Sequence, residues 1–182
     1  MKKGIILYQS KYGATRKYAE WLKEATHFDC METKEADIQQ IKEYDIIILG
    51  GGIYASGIAG ISFLKKNIQH MKNKKLAVFC VGASPYDEKA FQEICSHNLP
   101  GDFMHIPCFY CRGAWDEKAM SFKDRTLCKM LKKAIARQDP STYEPWQNAL
   151  MEAIKQDKCD WTDKKYLEPL IAYIDSENPK SS

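Results

Sequence analysis

No stretch of this chain approaches the ~18 uninterrupted apolar residues of a membrane-spanning helix, so no span is expected. A second Cys-x-x-Cys is also missing. Cys108-Phe-Tyr-Cys111 stands alone and cannot complete the spacing of a structural zinc site. The four histidines, His27, His70, His97 and His105, show no ligand spacing, and no metal is expected. The seven cysteines are odd in number and scattered. Cys108 and Cys111 lie in a β-type run that turns residues three apart to opposite faces. A thioredoxin-like motif wants its first cysteine at a helix amino end instead. Buried free thiols are the expectation. No leader is expected either: Met1-Lys2-Lys3 runs directly into an apolar strand, and an untargeted chain is most simply expected to be cytoplasmic.

What is present is globular. The chain has 182 residues, 45% hydrophobic against 28% charged, enough for one domain over residues 1–175 with a frayed tail at 176–182. Its organising stretch is the opening, where the apolar run Gly4 to Gln9 ends in Ser10-Lys11-Tyr12-Gly13-Ala14-Thr15. A helical pattern follows at once, with Tyr18, Ala19, Leu22 and Ala25 on one stripe. A loop between a strand's carboxyl end and a helix's amino end exposes unpaired N–H groups at the positive end of the helix dipole. It is a ready phosphate site, here with hydroxyls at Ser10 and Thr15 flanking Gly13. The other reading is an ordinary strand–helix turn with a hydroxyl at the helix cap. The lysine of a P-loop and the three glycines of a Rossmann turn are both lacking.

Further strands are expected at Phe28–Met31, Ile46–Leu49, Lys75–Gly82 and Met104–Cys111, the last at an edge or beginning near Pro107. Helices are expected over Glu32–Lys42, from Ile61 to Met71, and from Glu88 to about His97. The continuous Ile46-Ile47-Ile48-Leu49 reads as a central strand buried on both faces. Five strands alternating with helices make a doubly wound parallel α/β sheet, expected in the order 2-1-3-4-5. Right-handed crossovers then bring the loops after strands one, three and four to one carboxyl edge, where ligands bind. Gly50-Gly51-Gly52-Ile53-Tyr54-Ala55 also satisfies a loose GxGxxA. It follows the third strand, though, and Lys72, Lys74 and Lys75 stand where a ribose-binding acid belongs.

The loop Ser10-Lys11-Tyr12-Gly13-Ala14-Thr15 resembles the flavodoxin pattern [ST]-x-[ST]-G-x-[ST], broken at Tyr12. Residues 1 to 111 as a whole resemble the flavodoxin superfamily, whose loops hold FMN. The resemblance implies that Ser10, Lys11, Tyr12, Gly13, Ala14 and Thr15 hold the FMN phosphate. It places Gly51, Gly52, Ile53 and Tyr54 along one side of the isoalloxazine, and Gly82, Ala83, Ser84, Pro85 and Tyr86 along the other. Tyr54 and Tyr86 would stack on the ring, and their plain alternative is exposed loop tyrosines.

The rest departs from a minimal flavodoxin. About fifty residues (112–160) intervene before a terminal helix that Thr162 is expected to cap and that ends near Ile174. Pro169 should kink that helix or mark its start. Two further helices are expected, over about Ala119–Gln138 and Trp146–Gln156. With Phe122-Lys123-Asp124-Arg125, Lys129 and Asp160-Trp161-Thr162-Asp163, the arrangement is similar to the menaquinone-dependent protoporphyrinogen dehydrogenase branch of flavodoxin-like proteins. That implies a quinone or a porphyrinogen as substrate.

Charge is distributed unevenly: residues 112–138 carry a net +5, residues 139–182 a net −4, and residues 1–111 a net +2. Electron-carrier flavodoxins are typically acidic, and this chain is not. In the insertion helix Leu127, Met130, Leu131, Ala134 and Ile135 form one face, with Arg125, Lys129, Lys132, Lys133 and Arg137 toward another. Such a helix fits peripheral contact with an anionic membrane at its inner face, or a solvated surface position on its own domain. The expectation is an FMN-dependent oxidoreductase with no side-chain nucleophile and no nucleic-acid partner. The alternatives are a one-electron carrier and a degenerate module without flavin.

Overall fold

Apolar runs without alternation are buried from both sides, and Ile46, Ile47, Ile48 and Leu49 lie at the centre of the protein for that reason. The structure is a computed structural model and describes residues 2–71, 73–156 and 158–176. Its main strands are β1 (Gly4–Gln9), β2 (Asp29–Glu32), β3 (Ile46–Tyr54), β4 (Gly57–Ile58), β5 (Lys75–Gly82) and β6 (Cys108–Arg112). Five of them make a parallel sheet in the order β2-β1-β3-β5-β6, and β4 folds back antiparallel on β3. The expected doubly wound α/β topology is therefore present, with its switch point between β1 and β3.

The helices are α1 (Ala14–Thr26), α2 (Ile38–Ile41), α3 (Ile61–Asn67), α4 (Glu88–Asn98), α5 (Phe122–Ile135), α6 (Pro145–Lys155) and α7 (Glu168–Asp175). Strand side chains alternate between two layers. Ile5, Leu7, Ile47, Leu49, Val78 and Cys80 meet Leu64 of α3 and Phe91 and Ile94 of α4. Ile6, Ile46, Ile48, Ala77, Phe79 and Val81 meet Tyr18, Ala19 and Leu22 of α1 and Leu170 and Ile174 of α7. Cys108 joins the first layer and Cys111 the second, and all seven cysteines are free. No helix among the described residues is long and apolar enough to cross a membrane.

Several boundaries differ from the sequence reading, each for a physical reason. Over Glu32–Lys42 there is a 3-10 turn (Thr33–Glu35) and then only four residues of helix, started by Asp37 accepting the Gln39 N–H at 2.9 Å. The third strand does not stop at Leu49 but runs through its three glycines to Tyr54. Those glycines are there for packing: a Cβ on Gly50 would lie 2.1 Å from the Phe79 ring, and one on Gly51 2.1 Å from the Ala59 carbonyl oxygen. The GxGxxA stretch is thus strand, not a nucleotide turn. The fifth parallel strand starts only after Pro107 and lies at the sheet edge, as that proline suggests. The cap near the terminal helix is Asp163, not Thr162: it accepts the Lys165 N–H at 3.0 Å and opens a 3-10 turn, and Pro169 then stands in the first turn of α7. Of the tail expected to fray, Ser176 is ordered against buried Lys75, whose Nζ donates to the Ser176 carbonyl at 2.5 Å, while 177–182 lie outside the described residues.

The insertion holds a pairing not expected from the sequence. Strand β7 (Ala114–Asp116) lies antiparallel to β8 (Lys158–Asp160), and Trp115, Ala153 and Cys159 form the buried centre of a small satellite cluster. Helix α5 is shorter than its pattern and begins at a Ser121 cap, whose Oγ accepts the Asp124 N–H at 3.2 Å.

Candidate functional site

Strand β1 delivers the chain to the carboxyl edge of the sheet, and Ser10 to Gly13 turn it into α1. Gly13 has φ +95 and is itself the helix cap, with no side chain capping the helix. The hydroxyl-capped turn of the alternative reading is therefore not what is built. A Cβ on Gly13 would meet nothing within 4 Å, so glycine is required by its backbone angle rather than by crowding. Its N–H goes to Ser10 Oγ at 3.2 Å, and its carbonyl accepts from Lys17 N at 3.0 Å. The N–H groups of Tyr12, Ala14 and Thr15 meet no protein acceptor among the described residues, while the Lys11 N–H faces the Tyr54 phenol oxygen. Thr15 is 2% exposed as a residue, but its hydroxyl keeps contact with solvent and makes no hydrogen bond to the described protein. Unfilled donors at a helix amino end, with an unpartnered hydroxyl beside them, fit a phosphate monoester.

The second wall is the tip of β3. Gly51 and Gly52 are buried within the strand, Ile53 is half-buried and Tyr54 is exposed. Ala55 (φ 47) and Ser56 (φ 66) then turn the chain tightly into β4. Two consecutive non-glycine residues at positive φ are strained, and buried Asn98 holds them. Its Oδ1 accepts the Ile58 N–H at 2.8 Å, and its Nδ2 donates to the Ser56 carbonyl at 2.7 Å. Asn98 carries no motif, and nothing in the sequence singles it out. Tyr54 meets Tyr12 edge to face at 6.3 Å, and Lys11 Nζ stands 5.7 Å from the Tyr54 ring centre. Burial pushes the Tyr54 phenol up from its ordinary pKa.

The third wall is Gly82 to Tyr86. A Cβ on Gly82 would lie 2.8 Å from the Tyr110 hydroxyl and 3.2 Å from Ile53 Cδ1, so β5 and the β3 tip approach closely here. The Tyr110 hydroxyl donates to the Ser84 carbonyl at 2.6 Å, the Arg112 Nε to that of Ala83 at 3.3 Å. Gly113 N–H reaches the Gly82 carbonyl at 2.7 Å. Pro85 and Tyr86 are exposed. The Tyr86 ring packs on Phe91 (5.6 Å) and Tyr110 (5.9 Å), and no ring contact joins it to Tyr54 among the described residues. A cavity of about 270 Å³ lies beside edge strand β6, with Tyr86, Phe91, Tyr110 and Tyr166 in its wall; Tyr86 alone belongs to the three loops as well.

The insertion supplies a fourth wall that sequence reasoning missed. The Asp124 carboxylate accepts from both Lys11 Nζ and the Tyr12 hydroxyl, and Ser121 N–H reaches that hydroxyl at 3.3 Å. These bonds hold the Asp124 carboxyl below its ordinary range, and the bond to Asp124 raises Lys11. The segment before the terminal helix clasps α1 from another side. Lys17 Nζ donates to Asp160 Oδ2 at 2.9 Å and to Thr162 Oγ1 at 2.7 Å. Burial alone would raise the Asp160 carboxyl; the Thr162 hydroxyl and amide and the Lys17 ammonium outweigh it and hold the pKa at about 2. Arg112 stacks on Trp161 at 4.4 Å.

The sequence profile of the flavodoxin domain family matches residues 5–142. The chain belongs to the flavodoxin domain family. That match runs from β1 through the whole of α5, so the insertion's first helix lies inside the flavodoxin domain. No curated protein matches the chain. Among solved structures it is similar to the Trp repressor binding protein from Bacillus subtilis, at 20% identity over 61% of this chain and 85% of that one, TM-score 0.47. It is similar to two-electron reduced Megasphaera elsdenii flavodoxin at 16% identity, over 59% of this chain and 82% of that one, TM-score 0.45. A flavoprotein in complex with FMN from Lactobacillus acidophilus NCFM matches at 20% identity over 62% of this chain and 93% of that one, TM-score 0.41.

Proposed function

We propose that this flavodoxin-domain protein binds FMN at the carboxyl edge of its sheet and passes electrons to a quinone, with a porphyrinogen as the donor class. The observation that carries the reading is the loop after β1, with its unfilled N–H groups and the Thr15 hydroxyl that no protein group partners. Ser10, Lys11, Tyr12, Gly13, Ala14 and Thr15 would hold the phosphate. Tyr54 and the Gly82–Tyr86 loop would flank the ring from two sides. FMN, when bound, supplies the redox chemistry at its own ring. The chain's part is to bind, orient and shield it, and Asn98 serves that part by fixing the hairpin that carries Tyr54. One phosphate-sized cradle favours FMN over FAD.

A basic, partly apolar α5 supports a membrane-bound acceptor. Of its residues only Ile135 is buried, while Phe122 is 85% and Met130 64% exposed, and Leu127 and Leu131 are exposed as well. Lys129, Lys132 and Lys133 are exposed on the same helix. Arg125 is committed elsewhere, to the carbonyls of Glu117, Lys118 and Met120. Exposed apolar side chains among lysines match an anionic lipid surface.

The test is the flavin released by acid from purified protein, followed by turnover of menadione with and without protoporphyrinogen. FMN with quinone reduction is the expected result. FAD sinks the cofactor reading, and FMN without turnover makes the chain a one-electron carrier. Co-sedimentation with anionic but not neutral vesicles is expected for the membrane contact. Changing Lys129, Lys132 and Lys133 to Gln should cost up to roughly 3 kcal/mol of that affinity, at about 1 kcal/mol per cation.

A further inference from the structure

The cofactor loop is already engaged with an anion of the protein's own. Asp124 stands in the first turn of α5, 113 residues along the chain from Lys11. Its carboxylate accepts from the Lys11 ammonium and the Tyr12 hydroxyl together. The same hydroxyl receives the Ser121 N–H, and Ser121 caps the helix on which Asp124 stands. Tyr12 is the residue at which the loop departs from the flavodoxin hydroxyl pattern, and here its longer reach is what joins the loop to the insertion. The other cation near the loop, Arg16, is turned toward Glu32 at 2.9 Å, leaving Lys11 as the ammonium beside the unfilled amides. Beyond its first turn α5 is mostly exposed, so among the described residues its hold on the cofactor edge is this carboxylate with the neighbouring Ser121 N–H.

We propose that Asp124 is an internal counter-anion which a phosphate bound in the loop displaces from Lys11, so that phosphate occupancy and docking of the α5 amino end oppose each other. This rests on the reading of the loop as the phosphate site. A carboxylate and a phosphate dianion sharing one ammonium repel, and the half-buried side chain of Asp124 can swing to water. Asp124 is then a specificity-setting residue. It lowers affinity for a flavin with a phosphate and leaves one without a phosphate untouched. Linkage makes the effect reciprocal: whatever draws the α5 amino end away from the loop tightens phosphate binding by the same factor.

Flavin-free full-length protein, titrated with FMN and with riboflavin by flavin fluorescence, tests this in wild type, Asp124→Asn and Asp124→Glu. Asp124→Asn should bind FMN roughly fivefold or more tightly than wild type, the lower end of ordinary coupling between sites, with riboflavin unchanged. Asp124→Glu should restore the wild-type preference. FMN binding by Asp124→Asn that is equal or weaker overturns the proposal, as does an equal gain for riboflavin, which would mark a structural effect. Hydrogen exchange gives a second reading: FMN should speed exchange of the 121–125 amides in wild type, and slowing there overturns it. If wild type takes up no flavin, the FMN reading fails by itself. Inorganic phosphate alone then decides: against chloride at equal ionic strength it should speed 121–125 exchange in wild type but not in Asp124→Asn. No difference overturns the proposal.

Discussion

The sheet with its covering helices and the insertion at 112–160 are built to different standards. In the sheet, two layers of fully buried Ile, Leu, Val and Phe sandwich β1, β3 and β5, and each loop of the cofactor edge is the end of such a strand. In the insertion three buried residues, Trp115, Ala153 and Cys159, centre a thin cluster, and α5 leaves most of its surface to solvent. The difference teaches where precision is needed. Phosphate recognition depends on amides held to fractions of an ångström, and rigid strands hold them. On the reading proposed above, a segment that lets go of the loop and meets an outside surface would need few contacts.

The largest expected break in this comparison is in stability. Ile48→Ala, in the centre of the sheet, should cost about 2–5 kcal/mol in urea unfolding. Met130→Ala on α5 should stay within about 0.5 kcal/mol, as surface changes do. Equal losses would mean the insertion packs as tightly as the frame.

Next come the loop variants. Thr15→Ala should remove a charge-assisted hydrogen bond worth roughly 1.5–3 kcal/mol, weakening FMN some tens-fold in a fluorescence titration. Gly13→Val should lose about 1–3 kcal/mol of stability through its positive φ alone, since the added side chain begins in open space. Wild-type affinity in Thr15→Ala places the phosphate elsewhere.

A smaller effect is expected in the satellite cluster. Trp115 Nε1 is buried and is the one such side-chain atom without a partner among the described residues. Leaving a donor unpaired costs about 1–3 kcal/mol, so Trp115→Phe, which removes it, should be near neutral despite the smaller ring. A large loss in thermal unfolding would show that the indole N–H has a partner in solution.

The smallest effect concerns pH. The Asp160 carboxyl is held at about 2 in the fold, below its unfolded value near 3.9. Its contribution is thus complete above pH ~4 and is lost as pH falls toward 2. Asp160 and Lys17 are about half exposed, so the pair is worth at most about 1 kcal/mol. Asp160→Asn should flatten that acid limb of the unfolding curve and change little at neutral pH.

The frame was legible in the sequence because burial on both faces leaves a continuous β-branched run, and a strand-to-helix turn leaves a glycine between hydroxyls. Ser10, Gly13 and Thr15 could therefore be read from one short segment. The glycines at 50–52 were harder, since a glycine required by the Phe79 ring looks the same as a loop glycine until the neighbouring strand is in place. Strands β7 and β8 are three residues each and carry no alternation long enough to read. Asp124 lay in the Phe122–Arg125 segment that the sequence marks, but its place at the cofactor edge could not be read, because its partners Lys11 and Tyr12 are more than a hundred residues away and nothing local marks the pairing.

The most direct test of the central claim, that the loop after β1 is built for the phosphate of FMN, is a calorimetric titration of flavin-free protein with FMN and riboflavin in turn. The expected result is one FMN per chain, bound more tightly than riboflavin, with the difference shrinking in Thr15→Ala. Equal affinity for FMN and riboflavin in wild type would contradict it, because the phosphate would then contribute nothing to binding.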